Sequence, residues 1–434
     1  MNSSSPTTSS LSSPSFRLRY LRWYICGILF FATTVNYVDR VTLSNLKTHL
    51  QDVLHWSESD YGWIVFAFQV SYAGMMLISG PIIDRIGTRL GYAIAITWWS
   101  IAGMATALAR GALSFGVARF FLGVGEAGNF PAAIKAIAEW FPKKERALAT
   151  GLFNAGTNVG AMVAPPLVVW LTLRWGWQAA FLVTGGLGFV WVILWLVIYR
   201  LPAQHPYITE EEFRYIQTPE PGEATDAEPK IPYWKVLGYR QAWGFILAKF
   251  MTDPIWWFYV FWFPSYLAQV RGFSLKMIGS SAWIPYLVAD VGSVVGGWLS
   301  SHWIKRGWTV NRARKATLVI FAFLMPAGIL AVFAPHAWVA VALISVAMAA
   351  HQGWSANVFT LSSDMFPKKD VGTVVGMGGA AGAFGGMIIA LVAGYVLQWF
   401  GTYVPLFIIA SVMHPLAIGL VQLLIPKIKP VTEK

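Results

Sequence analysis

Twelve apolar runs of about 19 to 29 residues fill this sequence. Six fall at about 23–45, 57–82, 91–109, 114–138, 147–172 and 177–199, and six more at about 241–269, 276–302, 313–333, 337–362, 371–398 and 402–425. A run of about 20 apolar residues, wound as a helix, matches the roughly 30 Å hydrocarbon core of a bilayer, whereas barrel strands need only about 10. In hydrocarbon every backbone N–H and C=O must be satisfied within the protein, so long runs of this kind have only the helix open to them. The sequence therefore predicts an all-α membrane protein of twelve transmembrane helices. Only 12% of its 434 residues are charged, against roughly a quarter in soluble domains.

The basic residues set the expected orientation. Of the 32 Lys and Arg, 23 fall in the N-terminal tail, every second loop, the central linker and the C-terminal tail. The alternate loops hold five: Lys47, Arg110, Arg174, Arg271 and Lys276. Basic loops stay on the cytoplasmic side, which places both termini there. The net charge of +12 thus reads as orientation and not as a nucleic-acid surface. The expected plan is a disordered cytoplasmic tail at 1–22 with no signal-peptide pattern, a first six-helix half at 23–200, a cytoplasmic linker at 201–240, a second half at 241–426 and a short cytoplasmic tail at 427–434.

The two halves repeat. Glu139-Trp-Phe-Pro-Lys-Lys-Glu145 returns as Asp364-Met-Phe-Pro-Lys-Lys-Asp370, and the same shift of 225 carries Gly151 to Gly376 and Gly160 to Gly385. Duplicated six-helix halves are the mark of transporters that bind substrate at the membrane midplane, between halves that rock.

After the second span comes Gly80-Pro-Ile-Ile-Asp84-Arg85-Ile-Gly87-Thr-Arg89, with a weaker copy from Gly296 to Gly307 after the eighth. This turn resembles the loop signature of the major facilitator superfamily, in which it acts as a gate on the cytoplasmic side. Within that superfamily, Asn36-Tyr37-Val38-Asp39-Arg40 is similar to the anion:cation symporter family. The stretches Glu139 to Arg146, Ala164 to Trp170, Ala289-Asp290, His351-Gln352 and Leu361 to Asp364 resemble its bacterial hexuronate transporters. Galactonate and glucarate carriers form the next branch, and Asp39 is the residue of the galactonate type. The resemblance implies a multi-pass protein of the bacterial inner membrane that imports a sugar-acid anion with protons or sodium, protons being the expected ion, by alternating access; a monomer is expected.

Charges inside the spans support this reading from physics alone. Asp39, Arg40, Arg119, Glu126, Lys249, Asp253 and Asp290 all lie within apolar runs, where an ionised group is costly unless it faces a partner or a watery cavity. Arg119 and Glu126, two turns apart, share one helix face, as do Lys249 and Asp253. Asp39 and Arg40 project about 100° apart and need separate partners. Arginine offers a planar fork to a carboxylate and stays charged, which suits Arg40 to anchoring the substrate, with Arg119 assisting or holding Glu126. Asp39 and Glu126 are the expected proton carriers, because the protonation of a buried carboxyl responds to the cations near it. Each of these charged groups also has a plain reading as a structural ion pair. Tyr37, Tyr72, Asn154, Thr157, Asn158, His351, Gln352 and Asn357 are the candidates for sugar hydroxyls, and Trp256, Trp257 and Trp354 for ring stacking. Tyr72 stands twelve residues before Asp84, the spacing of a substrate-contacting tyrosine in the galactonate-type carriers.

Other functions fit less well. There is no GxxxxGK[ST] loop for an ATP-driven pump and no HxxxH or HExxH spacing for a metal. Cys26 is the single cysteine, and no nucleophile–base set suggests an enzyme. No cofactor is expected. A membrane sensor using the same cavity without turnover remains the alternative of another class.

Overall fold

A computed structural model describes residues 19–217, 233–366 and 368–431. Most of the expected N-terminal tail, the middle of the linker and the last three residues lie outside them. The described chain is built of helices and short turns. The first group comprises α1 (Leu21–Leu54), α2 (Glu58–Ile86), α3 (Thr88–Ala105), α4 (Ala112–Glu126), α5 (Asn129–Trp140), α6 (Lys143–Trp175) and α7 (Trp177–Ile198). Two short helices, α8 (Glu210–Gln217) and α9 (Tyr233–Val236), belong to the linker. The second group comprises α10 (Arg240–Arg271), α11 (Leu275–Ser281), α12 (Ile284–Lys305), α13 (Val310–Leu324), α14 (Ala327–Leu330), α15 (Ala337–Met365), α16 (Lys368–Phe400) and α17 (Val404–Leu424).

Among the described residues, ten helical stretches are long and apolar enough to cross a membrane. The runs left out of that set are α4 with α5, and α10. α4 with 15 residues and α5 with 12 are each too short to cross alone, whereas the 32 residues of α10 carry Lys249 and Asp253 within the run. Large apolar side chains such as Leu77, Leu113, Val197, Val294 and Phe323 face outward, as they do on a surface solvated by lipid.

Three of the expected continuous spans are interrupted, each near a proline. The run at 114–138 breaks at Ala127–Gly128, between α4 and α5. Pro131 has no N–H to give to the carbonyl of Ala127 four residues earlier, and the Ser79 hydroxyl donates to that carbonyl at 3.2 Å instead. The run at 276–302 breaks before Pro285, and that at 313–333 breaks at Met325–Pro326. Conversely, α1 runs nine residues beyond the apolar run at 23–45. Its last turns bury Leu46, Lys47 and Leu50 against protein, and the Lys47 ammonium sits 2.5 Å from Glu58.

Within the first group α1 packs on α6 and α7, α2 on α4, and α3 on α7. Within the second, α10 packs on α16 and α17, and α15 on α12 and α13. The groups meet through α2 with α16, α1 with α10, and α6 with α11 and α12. Hydrogen bonds between them gather at the end bearing the α1–α2 and α10–α11 turns. There the Tyr61 hydroxyl donates to the Phe261 carbonyl at 2.8 Å, Trp63 Nε1 to the Tyr395 hydroxyl at 3.1 Å, and the Gln269 amide to Glu58 at 2.8 Å. At this end Gly62 and Gly394 bring α2 and α16 backbone to backbone, so that a Cβ on Gly62 would lie 2.9 Å from the Ala390 carbonyl. Small residues are what permit such close approach in membranes. Gly62→Leu should therefore cut substrate uptake at least tenfold while the protein still inserts and stays monodisperse; normal uptake by this variant would show that closure of this end is dispensable.

Candidate functional site

Little more than one turn of α1 supplies Asn36, Tyr37, Asp39 and Arg40, all buried. The Arg40 guanidinium holds Glu126 Oε2 with two nitrogens, Nε at 2.8 Å and Nη2 at 2.7 Å, and Nη2 also donates to Asn36 Oδ1 at 3.3 Å. Both side chains are out of contact with solvent, at 1% and 0% exposure. The rings of Tyr72, Tyr37, Phe68 and Trp257 surround the guanidinium at 4.6 to 5.5 Å, adding cation–π attraction where water is excluded. Glu126 is the last residue of α4. Its second oxygen, Oε1, has no hydrogen-bond partner among the described residues.

Asp39 has different surroundings, as two adjacent helical residues must. Its carboxyl is buried, and by hydrogen-bond geometry neither oxygen meets a donor among the described residues. Arg119 donates to the Asp39 main-chain carbonyl at 3.1 Å and lies over the Phe181 ring at 5.4 Å. The ion-pair partner of Glu126 in this conformation is thus Arg40, from another helix, and not Arg119 two turns away on its own.

Beside this cluster lies a cavity between the two groups of helices. Five of the expected residues line it: Tyr37, Asn154, Thr157, His351 and Gln352. Asn158 lines it too and joins the groups by donating to Asp290. The second group adds Lys249 and Asp253, paired at 2.8 Å one turn apart on α10, with Trp256 and Trp257. Tyr72 sits over Arg40 instead, Trp354 is buried against Thr252 and His414, and the Asn357 amide staples α15 to α12 through the Gly296 carbonyl. Ser355 and Phe359 complete the wall, and the Lys249 ammonium lies 4.1 Å from the Phe359 ring centre. Sequence reasoning passed over these two, although they follow His351 at intervals of four on one helix face.

Gly80, Asp84, Arg85, Gly87 and Arg89, the residues expected to form a gate, lie at the opposite end from the contacts between the groups. Gly87 turns the chain with φ +90°, a region that favours glycine. Asp84 pairs with Lys135 of α5 at 2.8 Å, and Arg89 donates to the Leu196 carbonyl of α7 at 2.5 Å. Both partners belong to the first group. In the second repeat Arg314, which the shift of 225 aligns with Arg89, pairs with Asp364 at 3.0 Å. Arg85 is exposed.

A multi-pass helical membrane protein, with a charged cavity between two helix groups tied together at one end, has the architecture of a transporter. The chain belongs to the Major Facilitator Superfamily, whose profile matches residues 29–310 and 307–434. It is a membrane transporter and not an enzyme. It is 35% identical over 400 residues to the hexuronate transporter of Escherichia coli strain K12, covering 91% of this chain and 92% of that protein. It is 37% identical over 313 residues to the galacturonate transporter of Dickeya chrysanthemi, covering 71% and 90%. To the probable galactarate/D-glucarate transporter GarP of E. coli K12 it is 33% identical, covering 87% and 89%. Among solved structures, a bacterial homolog of the human lysosomal transporter Spinster, inward-facing and occupied, shares the fold with a TM-score of 0.72 at 18% identity, covering 94% of this chain and 96% of that one.

Burial separates the two ion pairs of the first group. Removing Glu126 strands a guanidinium that has no water to turn to, a loss on the order of 3–5 kcal/mol. Asp84, 73% exposed, contributes about 0–1 kcal/mol. Glu126→Ala should lower the midpoint of thermal unfolding in detergent far more than Asp84→Ala, and equal shifts in the two variants would show that the Arg40–Glu126 pair is solvated.

Proposed function

We propose that this transporter imports a sugar-acid anion, a hexuronate, together with protons, by alternating access. In this reading it has twelve spans, in halves 23–200 and 241–426 joined by a cytoplasmic linker at 201–240, with both tails cytoplasmic, and it works as a monomer in a bacterial inner membrane. The observation that carries the proposal is the Arg40–Glu126 pair, buried beside the cavity between the halves. A guanidinium held by a single carboxylate oxygen can exchange that partner for the carboxylate of a substrate.

Arg40 then serves as the substrate anchor, with Arg119 assisting, while Asp39 and Glu126 carry the coupling proton. Tyr37, Asn154, Thr157, His351 and Gln352 face the sugar ring, and Tyr72 steadies the anchor. When substrate takes Arg40, Glu126 loses its cation, and an unpaired carboxylate in a closing site is strongly disfavoured. Taking up a proton relieves it, which ties one movement to the other. The kinship with hexuronate and galacturonate transporters supports the substrate class. One feature favours a second reading, a dicarboxylic sugar acid of the galactarate or glucarate type: the cavity wall holds a second cation, Lys249, on the opposite half.

Uptake into proteoliposomes with an inward proton gradient tests the substrate. Glucuronate or galacturonate should accumulate, and glucose should compete poorly because it leaves Arg40 without an anion; equal inhibition by glucose and glucuronate contradicts the proposal. Arg40→Lys keeps the charge and loses the fork, so its affinity should fall at least tenfold, and an unchanged isotherm would remove Arg40 from the anchor role. Asp39→Asn and Glu126→Gln imitate the protonated acids. They should retain exchange of substrate across the membrane while losing gradient-driven accumulation. Full accumulation by both variants would make the two acids structural and turn attention to Asp253 and Asp290.

A further inference from the structure

His351 and His414 form a buried pair. His351 on α15 lines the cavity, and its Nδ1 lies 3.1 Å from Nε2 of His414 on α17. His414 is 0% exposed, stands edge-on to Trp354 and does not line the cavity, so it cannot touch a substrate there. The His351 ring lies flat on Trp256, 5.4 Å between centres and 15° from parallel. The stack and the hydrogen bond together fix its plane.

Only two proton arrangements of neutral rings make this hydrogen bond. In one, His351 Nδ1–H donates to His414 Nε2. His414 must then carry its proton on Nδ1, which has no hydrogen-bond partner among the described residues. A buried N–H without an acceptor is rare in native proteins, and an unpaired acceptor is tolerated more readily. In the other, His414 Nε2–H donates to His351 Nδ1, leaving His414 Nδ1 as the unpaired acceptor and placing the proton of His351 on Nε2, the ring's remaining polar atom.

We infer that His414 is a positioning residue that fixes His351 as a hydrogen-bond donor towards an oxygen of the bound sugar acid. The inference rests on the proposed function for its substrate, but the tautomer itself does not. A neutral histidine locked as a donor suits a ligand whose surface is carboxylate and hydroxyl oxygen, and it adds no charge to a cavity already holding Lys249.

The test has two arms on the full-length protein. In lipid nanodiscs, 15N NMR of histidine-labelled protein without substrate should find His351 protonated on Nε2; protonation on Nδ1 overturns the inference whatever the substrate is. In proteoliposomes, His414→Phe should raise the glucuronate concentration for half-maximal uptake several-fold, up to about tenfold for one hydrogen bond, with the maximal rate within about twofold of the parent. His414→Gln, whose amide can donate to the same Nδ1, should restore most of the affinity. Unchanged half-saturation in His414→Phe, or equal damage in the Phe and Gln variants, overturns the positioning role. Failure of the parent protein to take up any sugar acid would instead sink the proposed substrate and leave the NMR result to decide the tautomer.

Discussion

An arginine and a glutamate taken out of water together constrain the rest of this molecule. Separating Arg40 from Glu126 inside the protein would leave two uncompensated charges, each disfavoured by several kcal/mol. Helices α1 and α4 must therefore keep the two side chains in reach, with Glu126 the last residue of α4. Rings from α1, α2 and α10 then close around the guanidinium, so that the second half takes part in a cluster rooted in the first. A ligand that competes for Arg40 acts on all of these elements at once.

Under the proposed alternating access, the arrangement lets the halves move without coming apart. Contacts between them are concentrated at one end, where the paired glycines of α2 and α16 touch, while the cavity and the Asn158–Asp290 contact lie deeper. At the other end the loop charges Asp84 and Arg89 are engaged within their own half. Such an interface can open at one end and close at the other by rocking, the motion that duplicated transporter halves share.

Much of this was legible in the sequence, because the bilayer imposes a simple rule on it. Apolar runs became helices, and of the charges that broke the rule, Arg40, Glu126, Lys249 and Asp253 lie in or beside the candidate cavity. Adjacent residues diverged as helix geometry requires, Arg40 meeting Glu126 while Asp39 lies near Arg119. What the sequence did not disclose is pairing between helices. Arg119 and Glu126 share a face, yet the ion pair of Glu126 runs to α1, since a contact across helices depends on packing and not on spacing along one chain. The break after Glu126 was likewise hidden in an unbroken apolar run, although Pro131 signalled it. His414 escaped notice as one histidine in a largely apolar helix, its meaning supplied only by His351 across the gap.

The central claim is that substrate and proton compete through Arg40 and Glu126, the substrate taking the cation and the acid taking the proton. Proton uptake on substrate binding measures this directly, with purified protein in a weakly buffered solution near neutral pH and a pH indicator present. The account predicts that adding glucuronate to the parent protein draws protons from solution in proportion to the sites filled, and that Glu126→Gln binds glucuronate with a clearly diminished uptake. Binding to the parent with no proton uptake, or the same uptake in Glu126→Gln, would contradict it.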